Sequence, residues 1–411
     1  MRLSGLSDRY QSLLVMVIAC GFCMYQFLLQ ATPGFIAQPL MDELGLSRTE
    51  TGVLGSSLLY TYVLLQVPGG MLVDRFGVRN CFIGGLLFMM AGTLVFSGAD
   101  SLISAIIGRM LQGAGSSVAI VGALCLAAAW FPSRYFPLLV GLVEMSAMMG
   151  GVVCGALIPE LLQDSGWRGT LEASALLGVV LLVATLLWVR NAPKKEREEP
   201  TVNDQGASPP VQGQFLQVLG SRQVWVSAGF GFGLFGLVSV FGMMWGVSFL
   251  ACLYPDNASF PAQGMALFFA GVSLGTVLCG WLASRGGSCR NTMILGSTLT
   301  LLLLLSIVFM SMASALMAVV LFCLGLVIGS YGLAFVAPEK SLPPSGLGVA
   351  LAFINAMLLV AGQILQPLLG SLLDMRATSA GVTLPDYQVA FVPLLALAGI
   401  ALVSSLLLRR A

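Results

Sequence analysis

The chain has 411 residues, 57% of them hydrophobic and only 9% charged, with 19 Lys and Arg against 18 Asp and Glu and no histidine. A soluble chain needs far more charge to cover its surface. The net charge of +1 gives nucleic acid nothing to bind, and the missing histidine removes the commonest zinc ligand, general base and pH switch.

Twelve apolar runs are long enough to cross a bilayer as helices, each about 20 residues. They are predicted at 11–32, 50–72, 80–98, 102–129, 137–161, 170–190, 222–252, 262–284, 291–311, 313–337, 346–373 and 388–408. Membrane β-strands would alternate and be much shorter. The first run is too long for a cleaved leader, and no small-residue cleavage site follows it. Cys20 and Cys23, a CxxC within that run, read as packing, since no second pair or histidine is near.

Between the sixth and seventh runs, Lys194-Lys195-Glu196-Arg197-Glu198-Glu199-Pro200 and Pro209-Pro210 mark a solvated linker that cannot bury a core. The predicted organisation is a six-helix bundle over 1–190, a cytoplasmic linker over 191–221 and a second six-helix bundle over 222–411. With the N-terminus inside, the outer loops carry only Arg48, Arg168 and Arg376 and the membrane holds Arg109, leaving fifteen of the 19 cations on the inner face. That bias places both termini in the cytoplasm of a multi-pass inner (plasma) membrane protein.

Between the second and third runs lies Gly70-Met71-Leu72-Val73-Asp74-Arg75-Phe76-Gly77-Val78-Arg79. Its charged pairs read as a tight loop at a membrane face. The pattern G-x-L-x-D-R-x-G-x-R resembles the signature loop of the major facilitator superfamily. Gly280-Trp281-Leu282-Ala283-Ser284-Arg285-Gly286-Gly287 echoes it in the second half, with Ser284 where Asp74 stands. The resemblance covers essentially the whole chain. It implies an all-α membrane protein with twelve transmembrane helices in two pseudo-symmetric six-helix bundles, working as a monomer by alternating access. In that family the loop is a conformational latch, here Gly70, Asp74, Arg75, Gly77 and Arg79. Asp74 would face the partly positive N-terminus of a neighbouring helix.

Ionisable groups within a span are costly, and so are functional candidates. Arg109-Met110-Leu111-Gln112-Gly113-Ala114-Gly115 resembles the family's second motif, R-x-x-Q-G-x-G, whose arginine is associated with substrate or proton handling. Helical spacing puts Arg109, Gln112 and Ser116 on one face, and a guanidinium with no local carboxylate invites an anionic partner. Glu144 in the fifth span suits reversible protonation and is the proton-coupling candidate. Gln26, Tyr331, Asn355 and Gln363 join Arg109 and Gln112 as expected substrate contacts. Tyr25, Gln30, Tyr60, Tyr62, Gln66, Trp245 and Gln366 outline a wider polar surface.

The Arg109 motif together with Trp130-Phe131-Pro132-Ser133-Arg134 resembles organic-anion carriers of the superfamily. The expected function is a secondary active transporter that moves a small organic anion, such as a carboxylate, with proton symport. The alternative is a proton-coupled efflux antiporter for amphipathic compounds or siderophores, disfavoured because the fifth span lacks the exporters' Gly-Pro pair. No nucleophile, phosphate loop or metal-ligand cluster is present, so an enzyme, a cofactor and a metal are not expected. A non-transporting receptor on the same fold would tolerate loss of Arg109 and Glu144.

Overall fold

The computed structural model describes residues 2–132, 135–190, 220–285, 288–336, 344–377 and 381–408. Residues 191–219 of the predicted linker, the Ser133-Arg134 pair and the side chains of Asp74 and Ser284 fall outside the described residues.

The first part of the chain gives α1 (Arg2–Phe35), α2 (Ala37–Leu44), α3 (Arg48–Phe76), α4 (Val78–Ser97), α5 (Leu102–Ser116), α6 (Ala119–Trp130) and α7 (Phe136–Trp188). After residue 220 follow α8 (Arg222–Leu237), a π-helical stretch (Val238–Trp245), α9 (Gly246–Leu253), α10 (Phe260–Ser284), α11 (Cys289–Phe309) and α12 (Ser314–Ile328). A 3₁₀ turn (Gly329–Gly332), α13 (Leu333–Val336), α14 (Pro344–Arg376), α15 (Leu384–Ala390) and α16 (Val392–Leu407) complete it.

Ten segments of the described residues are long and apolar enough to cross a membrane. One of them, Leu138–Trp188, has 51 residues, about 75 Å at 1.5 Å per residue and so more than twice a bilayer's hydrocarbon thickness. It is broken at Gly166, where φ is 66° and ψ −177°, so the polypeptide turns back there. The 29-residue α3 also has the length to cross a bilayer, and its 56–73 stretch carries no charged residue.

Several predicted boundaries shift. The expected loop after the second span shrinks to one residue, Gly77 at φ 80°, because α3 continues as helix through Asp74 and Arg75. The run 102–129 divides at Ser117-Val118 into α5 and α6.

Large apolar side chains point outward along these helices: Leu64, Ile103 and Leu176 are 74%, 72% and 65% exposed. A water-facing surface would not carry them, whereas hydrocarbon accepts them freely. Half-exposed Trp188, Trp225 and Trp281 stand where α7 ends, α8 begins and α10 ends, as interfacial anchors do. Arg285 lies 4.3 Å over the Trp281 ring.

Within the first half, α1 and α4 pack on α7, and α4 on α5; within the second, α16 packs on α8 and α11, and α10 on α12. The two sets meet chiefly where α3 packs against α14 and α7 against α10, and also where α1 meets the π-helical stretch, with Gly34 against the Met243 carbonyl. Backbone contact at the helix crossings relies on residues without side chains. Gly113 of α5 sits against the Leu58 carbonyl of α3, a spot that a Cβ could not share.

The turn at Gly166 is tied down by its neighbours. Trp167 Nε1 donates to Glu43 at 2.5 Å, and the Arg168 guanidinium reaches Glu43 at 2.9 Å and the Ser97 carbonyl at 2.6 Å. These donors, Trp167 first, hold the Glu43 carboxyl below the usual carboxylate range. The conformation of Gly166 belongs to a region that only glycine enters readily. With nothing within 4 Å of an added Cβ, Gly166→Ala tests the backbone alone. It should lower unfolding free energy by about 1–3 kcal/mol, read as a fall in the thermal midpoint of the purified protein.

Candidate functional site

Where α1, α3, α6 and α7 approach α8, α13 and α14, a small central cavity of about 40 Å³ opens. Its polar lining is Gln26 and Gln30 from α1, Tyr62 from α3, Glu144 from α7, Tyr331 from the 3₁₀ turn and Asn355 from α14. Phe27, Phe235, Phe335 and Met148 close the walls. The volume holds a few water molecules, so any larger solute requires the cavity to widen.

Each polar group arrives there for a local reason. Gln26 and Gln30 are four apart on α1 and share a face. Glu144 lies on the side of α7 that faces the other half. The 3₁₀ turn after α12 tightens the chain at Gly329–Gly332 and turns Tyr331 inward, where its ring packs edge-on against Phe235 with centroids 5.3 Å apart. The Tyr331 hydroxyl donates to Glu144 Oε2 at 3.1 Å, joining the two halves through the cavity. Among the described residues lining the cavity, Glu144 carries the charge, and no Lys or Arg is present. Gln26 is buried with its side-chain oxygen unpaired, which leaves one end of that amide available to a ligand.

Gln26, Glu144, Tyr331 and Asn355 are therefore brought together, whereas Arg109, Gln112 and Gln363 are not among the lining residues. Arg109 is fully buried in α5. Its Nη1 donates to the Leu29 carbonyl at 2.5 Å and to Gln112 Oε1 at 2.9 Å, and its Nη2 to the Gly55 carbonyl at 3.1 Å and the Gln30 carbonyl at 3.4 Å. Leu29 lies four residues before Pro33, which has no N–H to return to that carbonyl. The guanidinium supplies the missing donor and ties α1 to α3 and α5. The expectation of an anionic partner for Arg109 thus meets a group already engaged by carbonyl oxygens. Gln112 passes the network on, donating to Thr93 Oγ1 at 3.0 Å.

Gln363 lies in the α3–α14 seam, where its Nε2 donates to the Leu59 carbonyl at 3.2 Å. Its own carbonyl stands four residues before Pro367 and accepts instead from the Tyr60 hydroxyl at 3.3 Å. Trp245 donates to the Gln366 carbonyl at 3.0 Å, and Gln366 Nε2 to the Ser239 carbonyl at 2.9 Å. Of the expected latch, Gly70 is an ordinary helical position in α3 and Gly77 makes the turn to α4. Arg75 lies 5.4 Å over the Phe76 ring, and Arg79 Nη2 donates to the Leu186 carbonyl at 2.8 Å.

The aromatic walls escaped sequence reasoning because a phenylalanine in a span looks the same whether it faces lipid or a cavity. Proline offered a usable signal for Arg109: a carbonyl four residues before Pro33 needs an outside donor.

Helices with lipid-facing flanks around a cavity that both halves of the chain line define a polytopic membrane carrier. The chain belongs to the Major Facilitator Superfamily, whose family model matches residues 18–367. It is 29% identical over 154 residues to the protein named Probable sulfoacetate transporter SauU of Cupriavidus necator, covering 37% of this chain and 35% of that one. To Probable galactarate/D-glucarate transporter GudP of Escherichia coli it is 25% identical over 295 residues, covering 63% and 64%. The matches thus span about one third to just under two thirds of these relatives. A crystal structure of a nucleoside transporter, NupG, superposes with a TM-score of 0.72 at 15% identity over 96% of this chain and 98% of that one, which establishes the fold. The family and these relatives are transporters rather than enzymes.

Proposed function

We propose that the chain is an inner-membrane carrier that takes up a small organic acid together with a proton by alternating access. It would cross the bilayer twelve times, with α3 counted and α7 divided at Gly166. The two six-helix halves would be joined by the cytoplasmic 191–221 linker, with both termini inside and the monomer as the working unit. The names of the relatives support the substrate class, and one observation carries the coupling. The cavity offers amide and phenol donors, one carboxylate, and no cation among its described lining residues.

An anion whose charge lies about 5 Å from an ionised Glu144 meets about 3 kcal/mol of repulsion at an effective dielectric of about 20. Protonation of Glu144 removes that repulsion and adds a donor. In the empty site the Tyr331 hydroxyl donates to Glu144 Oε2, a contact that an ionised carboxylate accepts more strongly than the neutral acid. Anion and proton therefore bind together and leave together. Arg109 supports this site from behind by holding the α1 segment that carries Gln26 and Gln30.

The test is ligand-induced thermal stabilisation with a panel of sulfonates, aldarates, aromatic acids, neutral sugars and amphipathic dyes at several pH values. An acid should stabilise the protein, with its apparent affinity rising up to about tenfold per pH unit lowered, as linkage of one proton requires. Stabilisation by dyes alone would favour the efflux reading.

A further inference from the structure

The first turn of α3 has a polar partner from the far half of the chain. Every helix begins with amides that lack an intrahelical acceptor. In α3, Ser47 Oγ accepts from the Glu50 amide at 3.2 Å and Glu50 Oε2 accepts from the Ser47 amide at 2.8 Å, a reciprocal cap. That leaves the amides of Arg48 and Thr49. Both are taken by Asp374, in the last turn of α14: Oδ1 accepts from the Arg48 amide at 3.1 Å and Oδ2 from the Thr49 amide at 2.7 Å. Oδ2 also accepts from the Thr49 hydroxyl at 2.7 Å, and the Arg48 guanidinium lies 3.6 Å from Oδ1. The carboxylate thus meets unpaired amides, a hydroxyl, a guanidinium and the positive end of a helix dipole at once.

Around it the two helices run in backbone contact. Gly370 of α14 lies against the Arg48 carbonyl, and Gly52 of α3 against the Gln366 carbonyl and Pro367 Cα. The hydrogen bonds between α3 and α14 among the described residues fall between Arg48 and Tyr60 on one helix and Gln363 and Asp374 on the other. The seam is therefore closed at the end where α3 begins and α14 ends.

We infer that Asp374 is a positioning residue for transport that holds this end of the carrier shut by capping the first turn of α3. A solute can reach the central cavity from this end only when that cap is released, because Gly52 and Gly370 leave no space between the helices while it holds. Once released, the Arg48 and Thr49 amides pass to water, so the closed state is favoured without being locked. The kinetic consequence rests on the carrier reading, whereas the capping contact does not.

Two measurements on the full-length protein separate these. Hydrogen exchange in lipid nanodiscs reads the cap directly. Asp374→Ala should speed exchange of the Arg48 and Thr49 amides about fivefold, the equivalent of one lost cap, with Asp374→Asn in between because one acceptor oxygen survives. Thr49→Val, which keeps both amides capped, should leave exchange there unchanged.

Opening is read in liposomes with Leu358→Cys, a cavity residue, labelled by an impermeant maleimide and located by peptide mass. Adding Asp374→Ala should raise its labelling severalfold from the side where α3 begins, and Asp374→Asn by less. Unchanged exchange in an Asp374→Ala protein with a wild-type thermal midpoint would overturn the capping assignment. Faster exchange with unchanged labelling would overturn the gating role. If Asp374→Ala fails to fold, Asp374→Asn carries both readings.

Discussion

In Glu144→Gln, accumulation driven by a pH gradient should fall at least about tenfold, while exchange of labelled for unlabelled solute across the membrane continues. The amide keeps the size of the side chain and can accept from the Tyr331 hydroxyl as the carboxylate does at 3.1 Å, so the cavity retains its shape. What is lost is the ability to gain and release a proton. Because glutamine is permanently neutral, the repulsion of about 3 kcal/mol against an incoming anion is permanently absent. Binding should therefore be as tight at high pH as at low pH, and the pH dependence of apparent affinity should flatten. Counterflow in liposomes and ligand-induced thermal shifts measure the two halves of this statement separately. Parallel loss of exchange and of gradient-driven uptake would make Glu144 a group needed for binding or folding rather than for coupling.

Arg109→Ala should destabilise the protein by about 3 kcal/mol or more, the loss of at least two charge-assisted hydrogen bonds in a buried place, and transport should fall with it. The diagnostic lies in a double-mutant cycle with Pro33→Ala. Alanine at position 33 restores an N–H that can return to the Leu29 carbonyl, the acceptor now served by Arg109 Nη1. Arg109→Ala should then cost less in the Pro33→Ala background than in the wild type, with an interaction energy of about 1 kcal/mol. Thermal or denaturant unfolding in a single detergent measures all four corners. Strict additivity would mean that Arg109 does not compensate for Pro33. A folded Arg109→Lys protein with normal stability but no anion response would return the arginine to the binding site.

The membrane class and the fold were legible from apolar runs and from the Gly70–Arg79 pattern, because the bilayer imposes length and polarity on every crossing. Boundaries were less so. The polar residues around Gly77 and Gly166 marked both turns but not their length, because helices such as α3 run past the hydrocarbon into charged residues and each turn needs only one glycine. The lining of the central cavity was legible in part. Glu144, Gln26, Tyr331 and Asn355 were visible as polar groups in apolar runs and do converge on the cavity.

Arg109, Gln112 and Gln363 were visible for the same reason but lie away from the cavity: Arg109 serves carbonyls that include the one Pro33 leaves open, Gln112 bonds to the Arg109 and Thr93 side chains, and Gln363 donates to the Leu59 carbonyl. A single polar residue in a span cannot announce which of these needs it meets. The position of a backbone carbonyl four residues before a proline narrows the choice, since those of Leu29 and Gln363 accept from Arg109 and Tyr60. The contact of Asp374 with α3 links residues more than three hundred positions apart and had no local signal at all.

The most direct test of coupled uptake is proton movement itself. Liposomes containing the purified protein and a trapped pH-sensitive dye, with no imposed gradient, would be given an outward-to-inward concentration step of each acid that stabilises the protein. Acidification of the lumen together with solute entry is expected in the wild type, and solute exchange without acidification in Glu144→Gln. Solute entry with no change of internal pH in the wild type, or equal acidification in Glu144→Gln, would contradict it.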